Sequence, residues 1–240
     1  MRVKAVVSYD GSVYKGFQKQ KSTSNTVTHS IEKALQSLHI NSPIVGSGRT
    51  DAGVHATGQV IHFDLPAFWI DLNKLKINLN RKLNNIQFKH ISSVKEDFHA
   101  RFSAKKRLYR YVFKTKKPSI FEQKYISYYS HFDKRMLQDA LGQFVGKHNF
   151  SYFLKTGSVT HTTIREIYYS NYIQKGDYHF IYFQANGFLR SQVRIMVNTS
   201  MEVAQGRMSI AQLTEQLEGR KKHISKLAPP EGLYLARVLY

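Results

Sequence analysis

Apolar and polar positions alternate at the start of the chain. Val3, Ala5, Val7 and Tyr9 interleave with Arg2, Lys4 and Ser8, a period of two that predicts a strand with one buried face. Tyr9-Asp10-Gly11-Ser12 predicts a turn. The period becomes helical over Val27, Ile31, Ala34, Leu35 and Leu38, behind a capping-type Ser24-Asn25-Thr26. Ile44-Val45 is a short apolar run, and 46–58 predicts an irregular, glycine-rich loop. Residues 59–64 predict a strand, Leu72, Leu75, Leu79 and Leu83 a helix after Asp71, and 86–91 a further strand.

A second half begins near residue 104. Residues 107–113 alternate as a strand, and Met136, Leu137, Ala140, Leu141 and Phe144 form a helical stripe after Asp133. Residues 164–173 and 178–185 predict two strands joined at Lys175-Gly176-Asp177. Residues 187–204 predict a helix, Ser209 caps another through Leu217, and 233–239 predict a closing strand. The expected domains are therefore 1–103 and 104–240. Strands mixed with helices, without strict β-α-β alternation, point to an α+β fold with mostly antiparallel sheet.

Charge changes the picture. Of 240 residues, 36 are Lys or Arg and 16 are Asp or Glu, so the net charge is +20 and the pI about 10.0. With 42% hydrophobic and 13% aromatic residues the chain can bury a core, which excludes a disordered polyelectrolyte. So large a positive charge points to a polyanionic partner, here nucleic acid. The densest run, 101–117, holds Arg101, Lys105, Lys106, Arg107, Arg110, Lys114, Lys116 and Lys117 and no acid, with Phe102, Tyr109, Tyr111 and Phe113 among them. Basic residues interleaved with aromatics suit an RNA whose bases can leave the stack; a solvated strand face backed by core aromatics would look similar. The absence of cysteine excludes disulfide scaffolds, zinc-thiolate sites and cysteine nucleophiles, and agrees with a cytoplasmic home. No apolar run approaches a membrane span.

The loop from Gly46 to Gln59 is the segment most open to chemistry. It is neither a phosphate-cradling loop nor a dinucleotide fingerprint. It presents Arg49 and Asp51 two residues apart. Asp51 there is a nucleophile or general base, or else a turn Asp bonding its own backbone. The 11 histidines form no metal-ligand motif, and no serine-hydrolase elbow is present. Arg190 and Arg194 are spaced i, i+4, for a solvated basic face or for one Arg turned toward a buried carboxylate.

These segments together resemble the TruA-type tRNA pseudouridine synthase family. The resemblance is carried by Tyr9-Asp10-Gly11-Ser12, Gly16-Phe17-Gln18-Lys19-Gln20, Gly48-Arg49-Thr50-Asp51-Ala52-Gly53-Val54-His55 and Asp97-Phe98-His99-Ala100-Arg101-Phe102-Ser103-Ala104. It continues through Arg107-Leu108-Tyr109-Arg110-Tyr111, Gly146-Lys147-His148-Asn149-Phe150, Asn186-Gly187-Phe188-Leu189-Arg190 with Val193-Arg194, and Ala228-Pro229-Pro230-Glu231-Gly232-Leu233-Tyr234-Leu235. It implies two similar α+β halves whose mostly antiparallel sheets flank a central basic active-site cleft. It implies isomerisation of uridine to pseudouridine at positions 38 to 40 of the tRNA anticodon stem-loop, without cofactor or metal, by a homodimer whose two subunits both touch one tRNA.

Roles follow by resemblance. Asp51 matches the catalytic Asp, which attacks ribose C1′ or base C6. Arg194 matches its Arg partner. Tyr109 matches the Tyr that packs on the target base, either accepting the C5 proton or serving as a wall. Arg49 matches the residue that holds the flipped nucleotide's place, and Leu233 an apolar pocket wall. Arg101, Lys105, Lys106, Arg107, Arg110 and Lys114 would grip the tRNA backbone. The chain departs from the family pattern at Ser191-Gln192, at Asn198 and at Thr162-Thr163-Ile164, away from the three central residues. The rival readings are a non-catalytic RNA-binding protein, a methyltransferase, for which no glycine-rich cofactor loop is visible, and a relative acting on another uridine.

Overall fold

A computed structural model describes residues 1–155, 157 and 160–240. The chain forms two compact units: Met1–Lys105 with Tyr234–Tyr240, and Lys106–Leu233. The sequence pattern drew one boundary, with 104–240 as the second half. The last strand instead belongs with the first unit, because it pairs there.

In the first unit β1 (Arg2–Tyr9) lies antiparallel between β3 (His55–Asp64) and β4 (Ile86–Ser93). Val3, Ala5, Val7 and Tyr9 are buried along β1, one face of the alternation. The two-residue β2 (Val45–Gly46) pairs β3 from the other side. The terminal β10 (Leu233–Leu239) runs parallel to β3, Tyr234 opposite His55 and Leu235 opposite Ala56. Gly58 permits this approach: a Cβ there would lie 2.3 Å from the Ala236 carbonyl oxygen. α1 (Val27–Gln36) starts where the Thr26 hydroxyl accepts the His29 N–H, and it buries Ile31 and Leu35 completely. Each such side chain contributes about 1.5–3 kcal/mol. α2 (Leu72–Lys82), capped by Asp71, buries Leu75 and Leu79 and lies against β4.

In the second unit β5 (Lys106–Lys114), β9 (Tyr178–Ala185), β8 (Ile164–Lys175) and β7 (Gly146–Asn149) form an antiparallel sheet in that order. β6 (Ser127–Tyr128) runs parallel to β5. β8 and β9 form the expected hairpin, with Gly176 at φ 59° in its turn. α3 (Lys134–Gln143), capped by Asp133, packs on β8 and on α4 (Gln192–Ala204). α5 (Ile210–Leu217) opens with a full capping box of Ser209 and Gln212. Phe113, Phe144, Phe150, Phe153 and Phe183 form the aromatic core. Among the described residues no helix is long and apolar enough to cross a membrane.

Two further expectations are corrected. Residues 46 and 55–58 are strand rather than loop, since β2 ends at Gly46 and β3 begins at His55 to meet β10. The expected helix 187–204 begins only at Gln192, because Ser191 takes a left-handed conformation, φ 60°. Arg190 therefore precedes the helix and shares no helical face with Arg194.

Candidate active site

The loop 47–54 joins β2 to β3 and carries Arg49 and Asp51. Neighbouring backbone and buried side chains hold it from several directions. The Tyr9 and Thr50 hydroxyls lie 2.8 Å apart in the interior. The Phe17 N–H donates to the Thr50 carbonyl at 3.1 Å. The Val54 N–H donates to the Asp51 carbonyl at 3.1 Å, closing a turn around the carboxylate-bearing residue. The Ser47 hydroxyl donates to Gln59 Oε1 at 2.7 Å, while Gln59 Nε2 donates to the Gly48 carbonyl at 2.8 Å. Gln59 is fully buried and spans the start of the loop. At its end the Gly11 N–H donates to His55 Nδ1 at 3.0 Å, and the His55 ring stacks on Tyr234 at 4.7 Å. Gly11 must be glycine: a Cβ would sit 2.0 Å from the Val54 carbonyl oxygen. Thr50 is buried, Asp51 half-buried and Arg49 exposed. The aspartate is thus carried on a fixed backbone, as a positioned nucleophile or base requires.

In the second unit Tyr109 lies in the middle of β5, buried, with its ring edge-to-face on Phe188 at 5.2 Å. Arg194 lies in the first turn of α4. Its Nε donates to the Ala228 carbonyl at 2.7 Å, and the Ala228 N–H donates back to the Arg194 carbonyl at 3.1 Å. The segment 228–232 is itself held by Tyr111, whose hydroxyl donates to the Pro229 carbonyl at 3.0 Å. Ser127 Oγ lies 2.8 Å from that hydroxyl and 3.3 Å from Glu231 Oε1. Burial pushes the Tyr111 phenol well above its ordinary range, so it remains a donor. Tyr129 beside it is pushed up to about 12, again chiefly by burial. Leu233 is buried.

Arg49, Asp51, Arg101 and Lys105 belong to the first unit; Lys106, Arg107, Tyr109, Arg110, Lys114, Arg194 and Leu233 to the second. Arg101 and Lys105 are exposed. Arg107 is buried and donates to the Asn186 carbonyl at 2.9 Å. Lys106 lies over the Tyr168 ring at 4.8 Å, and Lys114 pairs with Glu122 at 3.2 Å. Arg110 is half-buried on the opposite face of β5 from Tyr109. The loop anchors Tyr9, Gly11, Phe17 and Gln59, and the anchors Tyr111, Ser127 and Glu231, had no role assigned from sequence. All but Ser127 lie in or beside the recognisable segments; nothing in the sequence marks Ser127. Among the described residues no group of three His, Asp or Glu could hold a metal ion.

Two of the departures from the family pattern have local accounts. Gln192 is fully buried, and its Oε1 accepts the Leu189 N–H at 2.7 Å, tying the pre-helical turn to α4. Thr162 Oγ1 accepts the Ile164 N–H at 3.1 Å, ordering the start of β8. Asn198 is buried with Nδ2 lacking a hydrogen-bond partner among the described residues, a feature with no compensating contact.

A profile of the tRNA pseudouridine synthase family matches residues 5–103 and 140–240. The chain is 39% identical over 241 residues to tRNA pseudouridine synthase A of Campylobacter jejuni subsp. jejuni serotype O:6, covering 100% of both chains. It is 40% identical to the enzyme of that name from Helicobacter hepaticus, over 99% of this chain and 98% of the relative. The Lactococcus lactis subsp. cremoris relative, also so named, is 39% identical over 100% and 97%.

Proposed function

This chain belongs to the tRNA pseudouridine synthase family, and from that premise we propose that it isomerises uridine at positions 38, 39 and 40 of the tRNA anticodon stem-loop, with Asp51 as nucleophile on a base drawn out of the stack. The observation that carries this reading is the rigid mounting of Asp51 between the Thr50 anchors and the Asp51–Val54 turn.

The reaction conserves atoms and electrons. The bond from N1 to C1′ breaks, the uracil turns, C5 joins C1′, and the C5 proton leaves while N1 gains one. A carboxylate suits the first step because it can attack, at C1′ or C6, and then depart. Arg194, held through Nε by Ala228, takes the family role of the cation that orients and charge-balances that carboxylate. Tyr109, fixed against Phe188, stacks on the base and stands as wall or as acceptor of the C5 proton. Arg49 occupies the place left by the extruded nucleotide, and Leu233 lines the base pocket. Phosphate grip falls first to the exposed Arg101 and Lys105, then to Lys106 and Arg110. Arg107 and Lys114 act through the Asn186 carbonyl and Glu122 that they hold.

The protein works in the cytoplasm on tRNA, as a homodimer. The face of the second unit's sheet that exposes Tyr169, Ile173 and Tyr178 supports a subunit contact. The deciding experiment follows tritium release from tRNA labelled at uridine C5. Wild-type protein is expected to release label, and Asp51→Ala to bind tRNA with release reduced at least about 10³-fold. Equal release by Asp51→Ala would overturn the nucleophile. Tight binding without release by the wild type would favour a non-catalytic RNA-binding protein.

A further inference from the structure

The turn from Asp97 to Ser103 holds a feature that Asp51, Tyr109 and Arg194 do not use. Phe102 is 76% exposed, so its ring contributes little to the core. Yet it is held firmly. The His99 N–H donates to Ser103 Oγ at 3.0 Å, and the Ser103 N–H donates to the His99 carbonyl at 2.9 Å. His99 Nδ1 accepts from both the Arg101 and Phe102 N–H groups at 3.2 Å. From behind, the Ala100 N–H donates to His62 Nδ1 at 3.1 Å, and the Tyr240 hydroxyl donates to the Ala100 carbonyl at 2.7 Å. The His99 ring covers one face of Phe102, with centroids 4.3 Å apart and planes 27° apart. The Arg101 guanidinium carbon lies 5.6 Å from the Phe102 centroid.

We propose that Phe102, backed by His99 and flanked by Arg101, is a stacking platform for one unpaired nucleobase of the bound RNA. An exposed ring with one face covered by an imidazole, on a backbone ordered before binding, offers its other face at little entropic cost. Arg101 and Lys105 supply cations for the adjacent phosphates, against Glu96 and Asp97 earlier in the turn. The exposed cations Arg101 and Lys105 beside the ring favour an RNA occupant over a second copy of the same chain at this turn. The inference rests on the reading of the partner as tRNA.

The test compares wild type, Phe102→Ala and Phe102→Trp with unmodified tRNA transcript and with a blunt, fully paired RNA duplex. Phe102→Ala is expected to bind the transcript about 5- to 150-fold more weakly, from the usual worth of one base–aromatic stack. Its salt dependence stays that of wild type, because no phosphate contact is lost. Duplex affinity does not change. Phe102→Trp binds as wild type, and its added indole fluorescence is quenched by the transcript and not by the duplex. Transcript affinity within twofold of wild type for Phe102→Ala, or equal losses on both RNAs, would overturn the platform. A shift of Phe102→Ala to monomer in sedimentation, with affinity per protomer unchanged, would overturn it in favour of a second copy. Pseudouridine formation is followed in the same samples. If wild type forms product and Phe102→Ala binds normally, the platform fails alone. If wild type forms none while Phe102→Ala still weakens transcript binding selectively, the catalytic reading fails alone.

Discussion

At the scale of single residues, the side chains that carry the proposed chemistry are fewer than those that aim them. Arg194 is held by a carbonyl at Ala228, and the next carbonyl, at Pro229, is held by Tyr111. Removing the Tyr111 hydroxyl while keeping its ring separates aiming from packing. Tyr111→Phe leaves the Pro229 carbonyl without that donor, at a cost of about 1–3 kcal/mol in unfolding free energy. Turnover is expected to fall about 10-fold or more with KM for tRNA little changed, because the residue acts through Arg194 rather than on RNA. A rise in KM at constant kcat would place the effect in binding instead. Gly11 and Gln59 serve the Asp51 loop in the same way, one by leaving room for the Val54 carbonyl and the other by bridging Ser47 and Gly48.

At the scale of elements, the start of α4 decides where Arg194 stands. Ser191 turns left-handed, and Gln192 reaches back to the Leu189 N–H, so the helix opens two residues before Arg194. Gln192→Ala strands that buried N–H and is expected to cost about 1–2 kcal/mol, read as a lower urea midpoint, with a parallel fall in turnover. An unchanged midpoint would show that the turn is held by other means. This helix also marks the limit of reading structure from sequence. The periodicity of β1, α1, α3 and the β8–β9 hairpin is local, and each lies within a few residues of its expected bounds. A left-handed Ser has no periodic signature, so the helix was expected too early. β6 and β7 are too short to show alternation, and the His55 end of β3 is strand because Tyr9 of β1 and Tyr234 and Leu235 of β10 pair there. The Asp51 loop was legible from its glycines and its family resemblance. Its anchors were not, because Tyr9 and Thr50 lie 41 positions apart.

At the scale of the whole molecule, titration gives the stability a defined pH shape. Burial lowers His62 and His179 from their ordinary 6.5, with His99 also lowering His62 and Lys134 lowering His179. A group whose folded pKa is depressed stabilises above its unfolded value, and that contribution is lost as pH falls through the folded value. A first decline is therefore expected as pH falls below about 6.5. A second begins below about 4.5, from three carboxyl groups. Asp64 is lowered by Arg2, Glu202 by Arg207, and Glu122 to about 2 by Tyr178, Ser119 and Lys114. These carboxylates are partly exposed, so salt should shrink the second decline. Phenols behave oppositely: raised values at Tyr111, Tyr129 and Tyr172 mean stability lost above the ordinary 10, through about 12 for Tyr129. Urea midpoints measured across pH check this shape; a midpoint flat between pH 7 and 5 would remove the histidine part. The placement of β10 has a consequence in time. A ribosome delivers Asp51 and its loop early, yet β10, which pairs His55 and Ala56 from the side opposite β1, emerges only after the entire second unit. Until then the Asp51 loop runs into an unfinished edge, and His55 lacks the Tyr234 ring stacked on it. A chain stalled before residue 234 would contain every residue proposed for catalysis and only part of the support for the first of them, so the proposed activity is expected only once synthesis has passed that strand.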